Sequence, residues 1–97
     1  MKLLTKKLRA QLPALNATAN DADPLVICKF FYPDFGWTWY AIEFDGTNVF
    51  YGLVDGFEKE LGSFSLMELM QGHGKLGCAI ERDLYFEPCR LSKLMKA

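Results

Sequence analysis

The chain has little of the chemistry on which catalytic and metal sites usually depend. Its 97 residues include one histidine, His73, and three cysteines that form no Cys-x-x-Cys pair. A structural zinc site needs four ligands at suitable spacing, and a general base needs a fixed geometry beside a group that tunes its pKa. His73 is flanked by glycines, which supply neither. We therefore expect no metal site and no catalytic residue.

Long apolar runs are also absent. No stretch approaches the roughly 20 apolar residues that cross a bilayer. The positively charged residues 1–9 lack the apolar run of about 7–15 residues that a secretory signal peptide requires. Cys28, Cys78 and Cys89 are odd in number, and reduced thiols are typical of cytosolic proteins. These absences predict a cytoplasmic protein without membrane contact.

One stretch, residues 72–77, matches the letters GxGxxG without the context that gives them meaning. A dinucleotide fingerprint lies between a strand and a helix of a βαβ unit, with an acidic residue about 20 positions further on. Here the glycines follow a predicted helix, and no βαβ unit surrounds them. We therefore expect a surface loop and no cofactor.

The formal net charge of −1 conceals a division along the chain. Seven of the 11 basic residues lie in residues 1–9 and 90–97, whereas all 12 acidic residues lie in residues 10–89. Basic terminal helices that neutralise an acidic body would explain this division. The alternative is an acidic surface that attracts a basic partner. No basic stripe with interleaved aromatic residues is present, so direct binding to nucleic acid is not expected.

Two Asp-Gly dipeptides, Asp45-Gly46 and Asp55-Gly56, interrupt the most apolar part of the chain. Asp-Gly between alternating apolar runs is a strong signal for a hairpin turn, because both residues tolerate a positive φ. The segments around them, 37–44 and 49–54, are rich in aromatic and β-branched side chains, which favour strands. They predict an antiparallel meander at the centre of the protein.

The side chains of this meander divide into two faces. A two-residue or a four-residue loop at Asp45-Gly46 gives the same division, since side chains alternate along a strand with a period of two. The tyrosine face then holds Tyr40, Ile42, Phe44, Val49, Tyr51 and Leu53. The tryptophan face holds Trp37, Trp39, Ala41, Phe50 and Val54, with Gly52 leaving space for a tryptophan ring.

A two-residue turn at Asp55-Gly56 would extend both faces onto the next strand. It adds Phe57 and Leu61 to the tryptophan face, and Glu58 and Glu60 to the tyrosine face. We therefore expect helices on the tryptophan face and a partly open tyrosine face with an acidic rim. The alternative, in which both faces are covered, also fits their apolar content.

Short helices are predicted at both ends of the chain and in its middle. The first begins at the N-cap Thr5 and ends before Pro13, and the second, over residues 66–71, has a capping box that starts at Ser65. The remaining expectations are a first strand over residues 25–32, a strand over residues 79–86 and a last amphipathic turn with Leu91, Leu94 and Met95. Together they indicate one α+β domain, residues 1–97, with a four- to five-stranded antiparallel sheet.

A set of segments spread over nearly the whole chain carries a family likeness. They are Leu3-Leu4-Thr5, Leu12-Pro13-Ala14-Leu15, Lys29-Phe30-Phe31, Trp37-Thr38-Trp39-Tyr40, Glu43-Phe44-Asp45-Gly46, Gly52-Leu53-Val54, Glu60-Leu61-Gly62, Phe64-Ser65-Leu66 and Ile80–Phe86. They resemble domain-of-unknown-function family 2958. The resemblance implies a cytoplasmic bacterial protein carried by plasmids, integrative elements or phages. It implies no activity, cofactor or catalytic residue.

The acidic middle of the chain and its tyrosines lead to the main functional hypothesis. We expect a non-enzymatic protein whose acidic, aromatic sheet surface docks a basic protein. With the mobile-element resemblance, the hypothesis names a host defence nuclease of the restriction or CRISPR type, whose phosphate sites the carboxylates would occupy. The candidate protein-binding residues are Tyr40, Tyr51, Glu58, Glu60, Glu43 and Asp45.

Two alternatives stay open from the sequence. The first is a structural homodimer or accessory protein, joined through an open sheet edge or through the tyrosine face. The second is a small-ligand protein or hydrolase that uses the cluster Glu81, Arg82 and Asp83 at the mouth of a pocket. Carboxylates on a strand more often form a solvated edge that prevents strand-to-strand aggregation.

Overall fold

A computed structural model describes residues 2–72 and 77–96, so the predicted loop around His73 lies largely outside the described residues. The described residues form, in chain order, α1 (Lys6–Gln11), β1 (Leu25–Val26), β2 (Cys28–Phe31), β3 (Thr38–Phe44), β4 (Val49–Asp55), β5 (Lys59–Ser65), α2 (Leu66–Gln71), β6 (Glu81–Arg82), β7 (Cys89–Arg90) and α3 (Leu91–Met95). Five strands form one antiparallel sheet in the order β5-β4-β3-β2-β6, and β1 pairs with β7. The predicted α+β class is confirmed.

Side chains fix where the helices begin. The hydroxyls of Thr5 and Ser65 each accept a backbone N–H in the first turns of α1 and α2, both at 3.2 Å, as predicted. The carboxylate of Asp23 caps α3 from a distant loop, since it accepts the N–H of Ser92 at 2.8 Å and its hydroxyl at 2.7 Å. These hydrogen bonds hold the pKa of Asp23 below its usual value.

Two predicted strands are shorter than expected. The predicted first strand is interrupted at Ile27. The residues before it form β1, which pairs with β7, and the residues after it form β2, which pairs with β3. The predicted strand over residues 79–86 is reduced to β6, because the chain turns at Asp83, whose carbonyl accepts the N–H of Phe86 at 3.3 Å. The central meander of β3, β4 and β5 is confirmed.

A β-bulge in β3 alters the predicted faces near the first turn. Ala41 pairs with Gly52, whereas Glu43 pairs with Tyr51, so Ile42 has no partner on β4. A bulge of this kind directs two successive side chains to the same side of the sheet. Ile42 is fully buried in the core beneath the tyrosine face, and Glu43 joins that face beside Tyr51.

The loop of the first hairpin has an odd length. Phe44 pairs with Phe50 across residues 45–49, whereas both predicted loop lengths were even. Phe44 therefore lies on the tryptophan face, and its predicted place on the tyrosine face is wrong. The bulge compensates for the odd loop, so Trp39 and Tyr40 keep their predicted faces.

The second hairpin reverses the predicted faces of β5. Its turn consists of residues 56–58, one residue more than the predicted turn. An odd turn inverts the side-chain parity of everything after it. Glu60 pairs with Val54 of the tryptophan face, and Leu61 pairs with Leu53 of the tyrosine face. The predicted positions of Glu60 and Leu61 are both wrong for this reason.

The two faces of the sheet bury two separate hydrophobic cores. The core on the tryptophan face is covered by the N-terminal segment, α1 and α2, which confirms the prediction that helices pack there. The core on the tyrosine face is covered by α3 and β1. The first includes Leu3, Leu4, Leu12, Phe30, Phe44, Phe50, Phe64 and Leu69, and the second Val26, Ile42, Leu53 and Leu91.

Gly52 lies where the backbone of β3 leaves no room for a side chain on β4. A Cβ there would be 1.9 Å from the carbonyl oxygen of Tyr40, so the predicted role of Gly52 as space for a tryptophan ring is wrong. Gly56 has that role, since its Cβ would meet the Trp37 indole at 2.6 Å. Gly62, directly opposite Gly52 on β5, has open space where its Cβ would be.

This pair of glycines provides a matched test of the packing. Gly52→Ala should lower the free energy of unfolding by roughly 3 kcal/mol or more, because the backbone of Tyr40 cannot yield as a side chain would. Gly62→Ala should stay within about 1 kcal/mol of the wild type. Urea unfolding of both variants measures the difference, and equal losses would contradict this account of Gly52.

Candidate functional site

The residues predicted to bind a partner do not form one surface. Tyr40, Glu43 and Tyr51 lie on the tyrosine face, Glu60 lies on the tryptophan face, Glu58 lies in the turn 56–58, and Asp45 lies in the first hairpin loop. The odd turn before β5 separates the acidic residues from the tyrosines. The expected acidic rim of the tyrosine face is therefore wrong.

Glu43 is an internal carboxylate. The residue is only 4% exposed. One oxygen accepts the N–H of Asn16 at 2.9 Å, and the other accepts the N–H of Thr18 at 2.8 Å together with the Thr18 hydroxyl. Asn16 has a φ of 70°, in the left-handed region that asparagine adopts more readily than most residues. Glu43 thus anchors the loop after α1 to the sheet and is not presented to a partner.

Hydrogen bonds keep two of the candidate carboxylates charged. Burial raises the pKa of Glu43, but the hydrogen bonds from Thr18 and Asn16 outweigh it, so this pKa lies below its usual value of 4.5. Backbone N–H groups of residues 47–49 lower the pKa of Asp45, whose Oδ1 accepts all of them at 2.8–3.0 Å. Asp45 therefore closes the hairpin loop.

The two tyrosines are half-buried. The ring of Tyr40 packs against Phe86 with centroids 6.0 Å apart, and the ammonium of Lys29 lies 5.9 Å from its centre. Burial raises the pKa of Tyr40, and the nearby carboxylate of Asp55 adds to the effect. Tyr51 lines a cleft of about 390 Å³, which lies between α3 and the loop that follows α1. The tyrosine face is largely covered, and neither ring is displayed on an open surface.

Five aromatic rings form a row at the uncovered end of the tryptophan face. Neighbouring centroids are 6.1 Å apart for Phe35 and Tyr32, 5.4 Å for Tyr32 and Trp39, 6.0 Å for Trp39 and Trp37, and 5.4 Å for Trp37 and Phe57. The first four residues are half-buried, whereas Phe57 is 90% exposed. We call these five residues the aromatic row.

Carboxylates border the end of the aromatic row. A cleft of about 500 Å³ is lined by Trp37, Phe57, Glu58 and Glu60, and both glutamates are exposed. The neighbouring cleft beneath the row is lined by Glu68 of α2, which is also exposed. The exposed ring of Phe57, the half-buried rings of the row and a cluster of negative charges thus occupy one continuous surface.

Lys59 does not neutralise these carboxylates, because its side chain leaves from the tyrosine face. Its ammonium donates to the carbonyl oxygens of Leu94 at 2.9 Å and Lys96 at 3.4 Å, at the C-terminal end of α3. Among the described residues, no ion pair involves Glu58 or Glu60. The charge of this surface is therefore not compensated within the described chain.

The cluster Glu81, Arg82 and Asp83 does not converge on a pocket. Successive side chains of a strand point to opposite sides. The guanidinium of Arg82 donates to the backbone carbonyls of residues 2–3 at 2.6 and 3.0 Å, whereas Asp83 lies 3.6 Å from the ammonium of Lys29. Glu81 is exposed. Arg82 and Asp83 fasten β6 to two different parts of the fold.

The buried thiol offers no nucleophile. Burial raises the pKa of Cys28 to about 12, so the reactive thiolate is not populated near neutral pH. Within residues 2–72 and 77–96, no three His, Cys, Asp or Glu side chains are placed to hold a metal ion. In the same residues, no helix is long and apolar enough to cross a membrane.

Of the residues predicted to bind a partner, the two glutamates Glu58 and Glu60 belong to this surface, and its aromatic residues were not among those predicted. Glu58 and Glu60 were predicted beside tyrosines, and they lie beside Trp37 and Phe57 instead. Tyr32 was predicted only as part of a strand. The available signal was that Phe57 lies directly after Asp55-Gly56, where a longer turn exposes it.

Comparison with known proteins gives one match. The family model described as "Protein of unknown function (DUF2958)" matches residues 3–97, which confirms the resemblance seen in the sequence. A search of curated proteins and a search of solved structures each found no match.

The buried carboxylate makes a prediction about stability and pH. Glu43→Gln should lower the free energy of unfolding at neutral pH by roughly 1–3 kcal/mol, since an amide cannot accept all the hydrogen bonds of the loop. The pKa of Glu43 is depressed on folding, so its contribution is present above pH 4.5 and is lost as the pH falls through the folded-state pKa.

The stability difference between wild type and Glu43→Gln should therefore shrink as the pH is lowered from neutral to about 3. Urea titrations at several pH values measure it, with the exposed Glu81→Gln as a control that should show a small effect throughout. A difference that is constant with pH would contradict a charged, hydrogen-bonded Glu43.

Proposed function

Since this chain belongs to the DUF2958 family, we propose its function from its own surface: it is a non-enzymatic binding protein that docks a basic protein on the aromatic row and its carboxylates. The observation that carries the proposal is the cleft where the exposed Phe57 and the half-buried Trp37 meet the exposed Glu58 and Glu60. The proposed surface lies on the tryptophan face, not on the tyrosine face expected from the sequence.

The aromatic row supports binding to a protein. Phe57 keeps 90% of its surface exposed while its ring packs edge-on against Trp37, with the ring centroids 5.4 Å apart. A phenylalanine in such a position adds little to the core, and burying it would release roughly 1.5–3 kcal/mol. Aromatic side chains are enriched among the residues that contribute most to protein interfaces. A partner that covers Phe57 would gain this free energy.

The carboxylates indicate the charge of the partner. Glu58, Glu60 and Glu68 are exposed along the row, and Lys59 donates its hydrogen bonds to α3 on the other face. A surface with one sign of charge accelerates association with a partner of the opposite sign and disfavours others. The partner therefore carries lysine or arginine where it meets these glutamates.

A nuclease fits this chemistry as the class of partner. Its nucleic-acid cleft is lined by basic residues that bind phosphates and by aromatic residues that stack on bases. Carboxylates spaced along an aromatic row would occupy the same positions. The mobile-element setting that the family resemblance implies suggests a host defence nuclease, which a bacterial plasmid or phage benefits from inhibiting.

The described polar groups support a role without catalysis. Glu43 and Arg82 hold backbone segments in place, and Asp83 pairs with Lys29. Each of these groups is a structural contact of the fold. An exposed surface whose groups make no such structural contact is suited to recognising another macromolecule.

The charge of the surface can be tested by reversal. Glu58→Lys/Glu60→Lys should abolish capture of basic proteins from a bacterial lysate by the immobilised chain, because it replaces attraction by repulsion. The matched control is Glu81→Lys/Glu87→Lys, which makes the same change in net charge at exposed residues that do not line the cleft of Glu58 and Glu60. Captured proteins that are the same for all three chains would overturn the proposal.

The aromatic part of the surface needs a separate test. Phe57→Ser should weaken binding of the captured proteins by at least about tenfold while changing the free energy of unfolding by less than about 1 kcal/mol. Thermal unfolding and quantitative pull-down measure the two effects. Unchanged affinity would show that charge acts without the aromatic row.

A further inference from the structure

We infer that the partner is bound by strand addition, with an extended segment of it pairing along the free edge of β5. This inference rests on the proposed function and names how the basic partner is recognised. The segment has alternating chemistry: basic side chains on the side of Glu60 and aliphatic side chains on the side of Leu61. Its backbone provides the hydrogen bonds, and its side chains provide the selectivity.

The ladder between β4 and β5 shows which backbone groups of β5 point outward. At its two ends, the N–H of Leu66 donates to the carbonyl of Asn48 at 2.8 Å, and the N–H of Gly56 donates to the carbonyl of Glu58 at 3.2 Å. Hydrogen-bonded pairs recur at every second residue of an antiparallel ladder. The N–H and carbonyl groups of β5 that face β4 are therefore those of Glu60, Gly62 and Phe64.

The intervening residues, Lys59, Leu61 and Ser63, direct their N–H and carbonyl groups away from the sheet. β5 is the last strand in the sheet order. In the part of the chain that the structure describes, no backbone hydrogen bond from another element reaches Leu61 or Ser63. These outward groups are the template that an added strand requires.

Several of the usual protections of an edge strand are absent from β5. The strand contains no proline, runs over seven residues and has no bulge in its pairing with β4. Its lysine, Lys59, directs its ammonium to the end of α3 instead of along the edge. At Gly62 the space above the tryptophan face is open, so a neighbouring side chain can lie across the strand.

Side-chain parity determines what the added strand carries. Its residues would alternate between the tryptophan face, beside Glu60 and the cleft at Trp37, and the tyrosine face, beside Leu61. Leu61 is 47% exposed and offers apolar surface. Opposite charges on neighbouring strands stabilise pairing. Arginine or lysine therefore suits the first side, and valine or isoleucine suits the second.

Charge favours such a segment over a second copy of this chain. Pairing β5 with its own copy would bring the exposed carboxylates Glu58 and Glu60 of both chains to one edge. Like charges on paired strands destabilise the pairing. A basic segment places the opposite charge there.

The test uses peptides of defined pattern as the probe. One is a capped octapeptide in which arginine and valine alternate, and the other is its isomer in which all arginines precede all valines. The alternating peptide should bind at least about tenfold more tightly in calorimetric titration, because only it can pair in register with the two faces. On binding, the amides of Leu61 and Ser63 should gain protection from hydrogen exchange.

A substitution at the edge separates strand pairing from charge. Ser63→Pro removes an N–H that β4 does not use, and proline is tolerated where a strand N–H faces solvent. It should weaken the binding of the alternating peptide by about tenfold and leave the affinity for the block isomer unchanged. Ser63→Ala should bind both peptides as the wild type does.

Backbone-methylated peptides provide a check that does not depend on folding of the proline variant. In an added strand, either the arginine or the valine N–H groups face β5, so methylating one set should abolish binding and methylating the other should not. Equal effects of the two methylations, or equal affinity of the alternating and block peptides, would overturn strand addition.

The charge-reversal variant separates this inference from the proposed function. Glu58→Lys/Glu60→Lys should weaken the binding of both peptides. If the wild type binds the two peptides equally and this variant binds neither, the proposed function stands and only strand addition is overturned. A wild-type dimer in sedimentation that Ser63→Pro dissociates would assign the edge to a second copy and also overturn it.

Discussion

The register of the central sheet is the constraint on which each surface of this protein depends. A strand presents alternate side chains to opposite faces, so one added residue exchanges the faces of all that follow. Three such additions occur, at Ile42 in β3, in the first hairpin loop and in the turn 56–58. The first places Glu43 beside Tyr51, the second places Phe44 on the tryptophan face, and the third moves Glu60 to the tryptophan face. Aromatic rings and exposed carboxylates therefore meet on the side of the sheet that α1 and α2 leave partly uncovered.

The acidic residues of the chain have two different physical roles. The carboxylates of Asp23, Glu43 and Asp45 accept backbone hydrogen bonds that fix a helix start, a long loop and a hairpin loop. Their charge is needed by the fold, and these bonds lower the pKa of each. The carboxylates of Glu58 and Glu60 accept no such hydrogen bond among the described residues and face solvent. The negative charge of the middle segment is therefore divided between structure and surface, and its sum along the sequence does not describe the surface.

Local signals predicted the elements in which they lie. The hydroxyl caps at Thr5 and Ser65 act over a few residues and lie where the sequence indicates. Both Asp-Gly pairs mark a hairpin, although neither loop has the predicted length. Loop length depends on tertiary hydrogen bonds that Asp-Gly does not specify. Asp45 closes a longer loop because its carboxylate accepts successive backbone N–H groups, and Gly56 closes an odd turn through the carbonyl of Glu58. The carboxylates of the candidate site were therefore predictable from the sequence, whereas the face that carries them and the aromatic rings beside them were not.

The edge strand β5 is held only lightly by packing. β5 contributes a single buried residue, Phe64, and its other side chains are exposed or half-buried. Its ladder with β4 holds it in place, whereas β3 and β4 are each held by burial on both faces of the sheet. The side chains of β5 other than Phe64 can therefore change without opening either core, and a strand added at its edge disturbs no packed residue. A recognition surface on β5 is compatible with the fold for this reason, since the groups it uses are those on which folding does not depend.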